Sequence, residues 1–441
     1  MRQHRNLLLG AVSLVAMAGM TSAAQAGAFG LRTQSTNAIG AAGAGNASGM
    51  PGISSMFWNP ATVTMNPGYS SEYNFTYVSP EAKIRPMAPT PAPALGLGPS
   101  GNIGQDAFVP ASYLAYQVND TVWVGLANGS LFGSITKPND RWAGQTYSRS
   151  SRVTSLSFTP IIGVKVTDWL SIGIGPTAQY LKVRLNSASG IGPVNRNVIL
   201  EGSDWGAGFT AGVTIKPFEG TTIGVGYRSS IHHEVNGTLR IPSPLLAAGV
   251  VLPVKVNLNL PEMLTVGLTQ QLTPDLKVSV GFEWMNWSRL GTQGIESAFV
   301  TAGPIQAFPL AYKDGYLYSL GAEYQLTQNL AVRAGVAYEE SPISNRNRST
   351  RLPDTDRIIA SVGASYDWNE KLRISASYAH YFAVGDSAIR IAPGSPLFSP
   401  ASPLPFYADS SVSADIFSVS LRYRWDDPKV AAAVVPVVAK H

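Results

Sequence analysis

The chain has 441 residues, of which 45% are hydrophobic and only 13% charged, well below the roughly 25% usual for soluble globular domains. Mean hydropathy is close to zero, too low for a helical membrane protein, and the absence of cysteine excludes disulfides, thiol catalysis and cysteine-ligated metals. The formal net charge of +5 comes without a basic cluster interleaved with aromatics, so nucleic acid is excluded as a partner. Few charges without long apolar runs fit alternating strands in a bilayer, with a soluble β-rich secreted protein as the alternative.

Residues 1–26 read as a secretory signal. Arg2, His4 and Arg5 form a basic start, Leu7 to Met20 an apolar stretch too short to span a membrane, and Ala24-Gln25-Ala26 a small-x-small cleavage site. Cleavage places the mature start at Gly27 and, by loss of Arg2 and Arg5, lowers the formal charge from +5 to +3. No later run is long enough for a spanning helix, so a membrane location requires a barrel.

Residues 27–66 follow as a Gly-, Ala-, Asn- and Ser-rich segment. Its end, Gly49 to Ala61, is too rich in Gly and Pro for a regular helix or strand, yet too apolar at Met56, Phe57 and Trp58 for a free linker. A compact plug ahead of a closed sheet explains both properties; an ordinary turn before the first strand is the alternative. Within it, Pro60 fixes its own φ and pushes Asn59 towards extended geometry, leaving the Asn59 amide free to bond nearby backbone.

From Tyr69 the chain becomes strand-like up to Trp425, giving a barrel region over 67–425 and a Pro/Ala/Val tail over 426–441. The best segments alternate with period two: Phe417, Val419, Leu421, Tyr423 and Trp425 share one face, and Ser418, Ser420, Arg422 and Arg424 the other. Leu276–Trp284, Tyr316–Leu326 and Leu330–Tyr338 behave likewise. The apolar face would point to a core in a sandwich and to lipid in a barrel, where Tyr and Trp form girdles.

The connections separate these readings. Short turns at Asn119-Asp120, Thr167-Asp168, Phe218–Gly220, Thr273–Asp275, Thr327–Asn329 and Asp367–Glu370 alternate with long Pro/Gly-rich loops: Lys83–Ala107, Gly133–Tyr147, Ala188–Ile199, Thr238–Leu252, Gly291–Phe308, Ile343–Arg351 and Gly385–Val412. Turns on one side and loops on the other is the sidedness of an outer-membrane barrel, and this division gives an all-β, antiparallel transmembrane barrel of about fourteen strands. A turn at Thr327–Asn329 that pairs Leu326 with Leu330 also pairs Glu323 with Arg333, both facing the lumen. Such a pair contributes about 0.2–1 kcal/mol as barrel filling, with an ion-pathway role as the alternative.

Three further features carry weight. The loop Thr238–Leu252 is apolar although it should lie outside, so Leu245, Leu246, Val250 and Val251 are candidates for ligand capture, or for packing over the barrel mouth. His232 and His233 are adjacent in a strand and therefore point to opposite faces, which argues against a metal site. His380 has no Ser/Asp grouping, and no nucleophile, base and orienting group occur together, so an enzyme is not expected.

In chain order, Asn59-Pro60-Ala61, Phe132-Gly133, Trp142-Ala143-Gly144, Asp168-Trp169-Leu170, Trp205-Gly206-Ala207-Gly208, Gly226-Tyr227-Arg228-Ser229, Leu260-Pro261-Glu262, Trp287-Ser288, Arg333-Ala334-Gly335 and Leu352-Pro353-Asp354-Thr355-Asp356-Arg357 resemble the FadL-type outer-membrane transporters of long-chain fatty acids and their toluene and xylene relatives. The resemblance covers nearly all of the mature chain. It implies a fourteen-stranded barrel closed by an N-terminal hatch with Asn59-Pro60-Ala61 as its signature. It also implies passive uptake of a hydrophobic small molecule, most simply a long-chain fatty acid. The ligand is captured by outer loops, held in an interior pocket and released through a gap where the third strand kinks inwards. Aromatic hydrocarbons are the alternative ligand; a general porin or an adhesin barrel are alternative functions, and the hatch argues against an open porin. Here the third strand is about Thr121 to Phe132, and Asn128-Gly129 is its expected kink, close packing at Gly129 being the other reading. The implied partners are outer-membrane lipid, lipopolysaccharide and the barrel assembly machinery, for a monomer without cofactor or metal. Gln145 stands where the family often has an arginine, which puts one loop contact in doubt.

Overall fold

A computed structural model describes residues 27–91, 96–190, 196–243, 249–299, 303–304, 306–398 and 404–427. The signal sequence, Leu245, Leu246 and the tail beyond 427 lie outside them. The strands are β1 (Tyr69–Pro86), β2 (Ala107–Gln117), β3 (Val122–Gly129), β4 (Gly133–Thr136), β5 (Ser150–Lys165), β6 (Leu170–Ala188), β7 (Asn197–Ile215), β8 (Thr221–Arg228), β9 (Ile231–Ile241), β10 (Val250–Leu260), β11 (Met263–Gln271), β12 (Leu276–Met285), β13 (Thr292–Ile295), β14 (Gln306–Pro309), β15 (Gly315–Gln325), β16 (Leu330–Glu340), β17 (Arg357–Asp367), β18 (Leu372–Ala383), β19 (Ala388–Ile391) and β20 (Phe406–Arg424). All but β13 and β14 belong to one antiparallel sheet.

The sheet closes on itself, because β1 pairs with β20 from Ser70↔Arg424 to Pro86↔Ala408. Closure leaves no edge strand. The eighteen segments make fourteen wall strands, four of which are interrupted: β3/β4, β8/β9, β10/β11 and β18/β19. Two breaks lie side by side, Ser229-Ser230 facing Pro261-Glu262, since Ile231 pairs with Leu260 and Arg228 with Met263. Pro261 cannot donate to the ladder, which accounts for the break on its strand.

Burial is inverted relative to a soluble protein. On β20, Phe417, Val419 and Leu421 are exposed, whereas Ser418 and Ser420 are buried. Val362, Leu320, Val336 and Ile174 are likewise exposed on the outside. An outward apolar band over a small, polar interior is the pattern of a wall bathed in lipid and excludes the soluble sandwich. No helix among the described residues is long and apolar enough to cross a membrane.

The six turns fall where the sequence places them, but several strands run further into the loops than composition suggests. Val250, Val251 and Leu252 belong to β10, which pairs with β9 from Val250↔Ile241 onwards. Gly133–Thr136 forms β4, Ala388–Ile391 forms β19, and Gly291–Phe308 contains the β13–β14 hairpin. These residues carry little hydrophobic alternation because no lipid faces them; neighbouring strand extensions hold them instead. The first tail residues are also tied down: Asp426 Oδ1 accepts a hydrogen bond from Tyr69 N at 3.0 Å and pairs with Arg424 Nε at 3.2 Å.

Candidate functional site

Residues 27–66 lie inside the ring of strands. The segment is built from a five-residue helix, α1 (Thr36–Gly40), and three 3₁₀ turns, Asn46–Ser48, Ile53–Phe57 and Pro60–Met65. Ser35 caps α1, its hydroxyl accepting from Ala38 N. Nearly every side chain is buried, with Ile53, Met56, Phe57 and Trp58 at the centre.

Asn59-Pro60-Ala61 forms the seat at the turn end. Asn59 caps the last 3₁₀ turn, its Oδ1 accepting from Ala61 N at 3.0 Å, and Pro60 occupies the first position of that turn. Its Nδ2 donates to Ala47 O at 2.7 Å and Val213 O at 2.9 Å, fastening the segment both to itself and to β7. The wall here is stripped of side chains. Gly163, Gly173, Gly212 and Gly226 lie opposite one another across β5, β6, β7 and β8. A Cβ on Gly212 would collide with Asn59 Oδ1, and one on Gly226 with Trp58 O. A second row, Gly224, Gly267 and Gly281, abuts Ala47, Ser48 and Ala44, and Gly335 abuts Ala41. The sequence alone singles out none of these glycines as a seat for the segment. The signal lay in their recurrence at equal depth in successive strands, visible only after the register is known.

At the loop end the segment is held by charge. Arg32 reaches Glu283 Oε1 on β12 at 2.7 Å and also pairs with Glu339 on β16. Glu339 pairs in turn with Arg357 at 3.3 Å, and Arg357 with Asp354, whose Oδ2 accepts from Ala28 N at 3.0 Å. Burial alone would lower the Arg32 guanidinium, but Glu283 and Glu339 on either side raise it above its ordinary range, so it stays charged. A cavity beside it is lined by Arg32, Ala38, Ile39, Leu317, Ile359 and Tyr381. Higher up, Phe29 packs edge-on against Trp287, ring centroids 4.8 Å apart, and against Phe132 at 5.8 Å, with Tyr312 beyond Trp287.

The wall has one interruption that the segment itself fills. Pairing of β2 with β3 stops at Ser112↔Asn128, and Ala107–Ala111 pair only with β1. β3 ends at Gly129, the chain turns inwards through Ser130, Leu131 and Phe132, and β4 resumes along β5. Between Gly129↔Ser157 and Gly133↔Thr154 the kinked strand advances four residues while β5 advances three, a bulge. The displaced backbone bonds the segment: Leu31 N donates to Leu131 O at 2.7 Å and Gly133 N to Phe29 O at 2.8 Å. Gln34 Nε2 also donates to Ser130 O, and a Cβ on Gly129 would strike Gln34 Oε1. A notch remains in the wall, lined by Leu31, Phe108, Val109, Pro110, Ser130 and Val153. Asn128 and Gly129 thus flank the kink on its turn side.

Glu323 on β15 lies opposite Arg333 on β16, their ion pair 2.6 Å long, and Lys277 Nζ reaches Glu323 at 3.0 Å. Arg333 also donates to Ser365 Oγ at 2.6 Å. Both side chains are buried beneath the segment. Glu323→Gln strands Arg333 and should destabilise the barrel by about 3 kcal/mol. The check is the temperature at which the folded band disappears in a heat-modifiability gel, which should fall clearly below that of the parent.

Val250 and Val251 are exposed at the start of β10, close to an apolar cluster of Leu239, Val254 and Ile295, with Leu252 and Phe308 packed on it. His232 is exposed and bonds Asn259, while His233 is buried between Asp204 and Gln179.

The family model described as outer membrane protein transport protein (OMPP1/FadL/TodX) matches residues 17–425. A long-chain fatty acid transport protein of Escherichia coli is 23% identical over 415 residues, covering 83% of this chain and 90% of that protein. Outer membrane protein P1 of Haemophilus influenzae is 26% identical over 423 residues, covering 86% and 90%. Among solved structures, a Pseudomonas aeruginosa FadL homologue superposes with a TM-score of 0.79 at 21% identity, covering 90% of this chain and 100% of that one. The Ralstonia pickettii toluene transporter TbuX gives 0.64 at 19% identity, covering 89% and 99%. These relatives are transporters and outer-membrane proteins rather than enzymes. This chain, a fourteen-stranded barrel of the outer membrane, belongs to the OMPP1/FadL/TodX outer-membrane transport family.

Proposed function

We propose that the protein takes up long-chain fatty acids by passive transport, with capture at the outer loops, passage through the aromatic interior and lateral release at the notch beside β2. The observation that carries this reading is the wall gap between β2 and β4, held open by the bulge and bridged by the hatch through its backbone at Phe29–Leu31 and the Gln34 side chain. A hydrophobic ligand leaving there enters lipid without crossing water. Displacing Phe29 from Phe132 and Trp287 would open the interior towards that gap.

An ionised headgroup needs a cation. Arg228, buried on β8, contacts Phe57 O at 2.8 Å and sits 4.6 Å from the Phe57 ring; Arg351 contacts Ser150 O and Ser151 Oγ at 3.0 Å. Neither has a carboxylate within ion-pair distance among the described residues. Burial lowers the Arg351 guanidinium to about 10, so it remains charged at neutral pH and favourable to a carboxylate. These arginines favour a fatty acid over an aromatic hydrocarbon; the Phe29–Phe132–Trp287 cluster is what favours the latter. Uptake of radiolabelled oleate and toluene by cells carrying this protein as their sole hydrophobic transporter separates the two. Oleate uptake at the level of cells lacking the protein would reject the fatty-acid reading.

Leu245 and Leu246 enter this reading on sequence grounds, as the centre of an apolar outer loop whose described end exposes Val250 and Val251. Exposed apolar surface costs about 25 cal/mol per Å². Replacing Leu245 and Leu246 together with Ser should lower uptake at dilute substrate and restore it at high substrate, with assembly unchanged. Equal uptake by parent and variant across dilute substrate would assign the loop to packing over the mouth.

A further inference from the structure

We propose that the outer wall of β5, β6, β7 and β9 binds the bisphosphorylated headgroup of an outer-leaflet glycolipid of the lipid A class. From turn end to loop end, the outward side chains of β6 are Ile172, Ile174, Pro176, Ala178, Tyr180, Lys182 and Arg184. Tyr180 packs against Trp205 of β7, ring centroids 5.3 Å apart, and Trp205 is 60% exposed. Apolar residues ending in an aromatic pair mark the outer rim of the hydrocarbon. Lys182 and Arg184 lie about 7 and 14 Å further along the strand, at headgroup level.

Strand pairing assembles further cations at that height. Arg152 of β5 lies directly opposite Arg184. Glu201 of β7 lies opposite Arg184 on its other side, and Arg240 of β9 opposite Ile199. Glu201 reaches Lys182 at 3.0 Å and Arg184 at 3.5 Å. Arg152, Lys182, Arg184 and Arg240 against Glu201 leave a net charge of +3. Like charges directly opposite each other destabilise a sheet. Arg152 and Arg240 have no carboxylate within ion-pair distance among the described residues. Elsewhere on the loop end, among the described residues, Lys83 pairs with Glu81, Arg85 lies opposite Asp409 and His380 pairs with Asp415 at 2.7 Å, while Arg390 of β19, opposite Tyr407, is a single cation rather than one of a cluster. The unmatched patch therefore calls for an anion from outside the chain.

Its breadth selects the anion. From β5 to β9 there are three strand spacings, about 14 Å. One phosphate cannot meet both Arg152 and Arg240, whereas a headgroup with a phosphate at each end can. Charge-assisted contacts from several guanidinium groups suit phosphate oxygens, and the outer leaflet is where this end of the barrel stands.

The test is competition binding read by native mass spectrometry, using full-length mature protein in detergent. The probes are bisphosphorylated lipid A, the same lipid chemically dephosphorylated, and phosphatidylglycerol. The parent should prefer the bisphosphorylated form by about tenfold, the size of one charge-assisted hydrogen bond. The variant R152S/R184S/R240S should lose that preference, and K83S/R85S, on β1 three strands away from β5 and outside the patch, should keep it. Equal binding of both lipid A forms overturns the proposal. So does a retained preference in the triple variant, its loss in K83S/R85S, or phosphatidylglycerol competing as well as lipid A. Should the triple variant fail to assemble, Arg152→Gln alone must weaken the preference, and an unchanged value is equally fatal.

Discussion

Removing residues 31–66, while keeping Gly27–Gly30 as the processing site, should convert a nearly silent barrel into a steadily conducting pore. Eight strands make a barrel that its own side chains fill; fourteen enclose much more space. Here that space is occupied by the hatch, and the wall opposite it presents glycine, serine and threonine rather than bulk. Without the hatch, Arg32 no longer covers Glu283 and Glu339, and water and cations gain a polar passage. Single-channel recording in planar bilayers gives the measurement, and polar solutes should enter in liposome swelling. A milder form of the same result is expected for Asn59→Ala. That change removes the cap on Ala61 and leaves Ala47 O and Val213 O short of a donor, about 1–3 kcal/mol for each buried group left unpaired. The hatch should then loosen in bursts. Conductance unchanged in the deletion variant would mean that the hatch does not gate the lumen.

Deleting Leu131 should abolish uptake of hydrophobic substrate while leaving the barrel folded and closed. The kinked strand carries four steps against three on β5, so one residue fewer restores continuous pairing from β3 into β4. A straightened strand can also pair with Ala107–Ala111 of β2, and the gap closes. Uptake should fall to the level of cells lacking the protein, conductance should stay low, and the heat-modifiable band should persist. Uptake that survives the deletion would place the exit in the lumen rather than in the wall.

Much of the wall was legible because lipid outside and small residues inside impose strict alternation, as at Phe417–Trp425. Register was legible where a turn is short enough to dictate it, as at Thr327–Asn329. The ion pairs at the loop end were not. Arg32 lies 251 residues from Glu283 and 307 from Glu339 in sequence, and only the seating of the hatch inside the ring brings them together. The gap beside β2 was half legible: Gly129 stands next to the kink, but the bulge depends on β5, whose count of residues is meaningless until the strands are paired. The outer loops were the least legible. Once past the lipid, Val250–Leu252 and Ala388–Ile391 pair as strands without any periodic pattern, held by neighbours instead of by a bilayer.

The seam has a bearing on how the molecule is built. Thr36 of the hatch and Thr76 of β1 each meet the same hydroxyl, Ser418 of β20, at 2.8 Å. β1 is made early in synthesis and β20 last, so Ser418 arrives when the hatch is already present. The glycine rows opposite the hatch offer it no side chains to climb past, only backbone to lie against. A chain that docked its hatch after closure would have to thread some forty residues through a finished ring, against the loop-end charges. Assembly is therefore easier if the strands curl around a collapsed N-terminal segment that serves as a mandrel, with the last strand latching onto the first over it. A defect in the hatch would then appear as slow or failed insertion, before any question of what the barrel lets through.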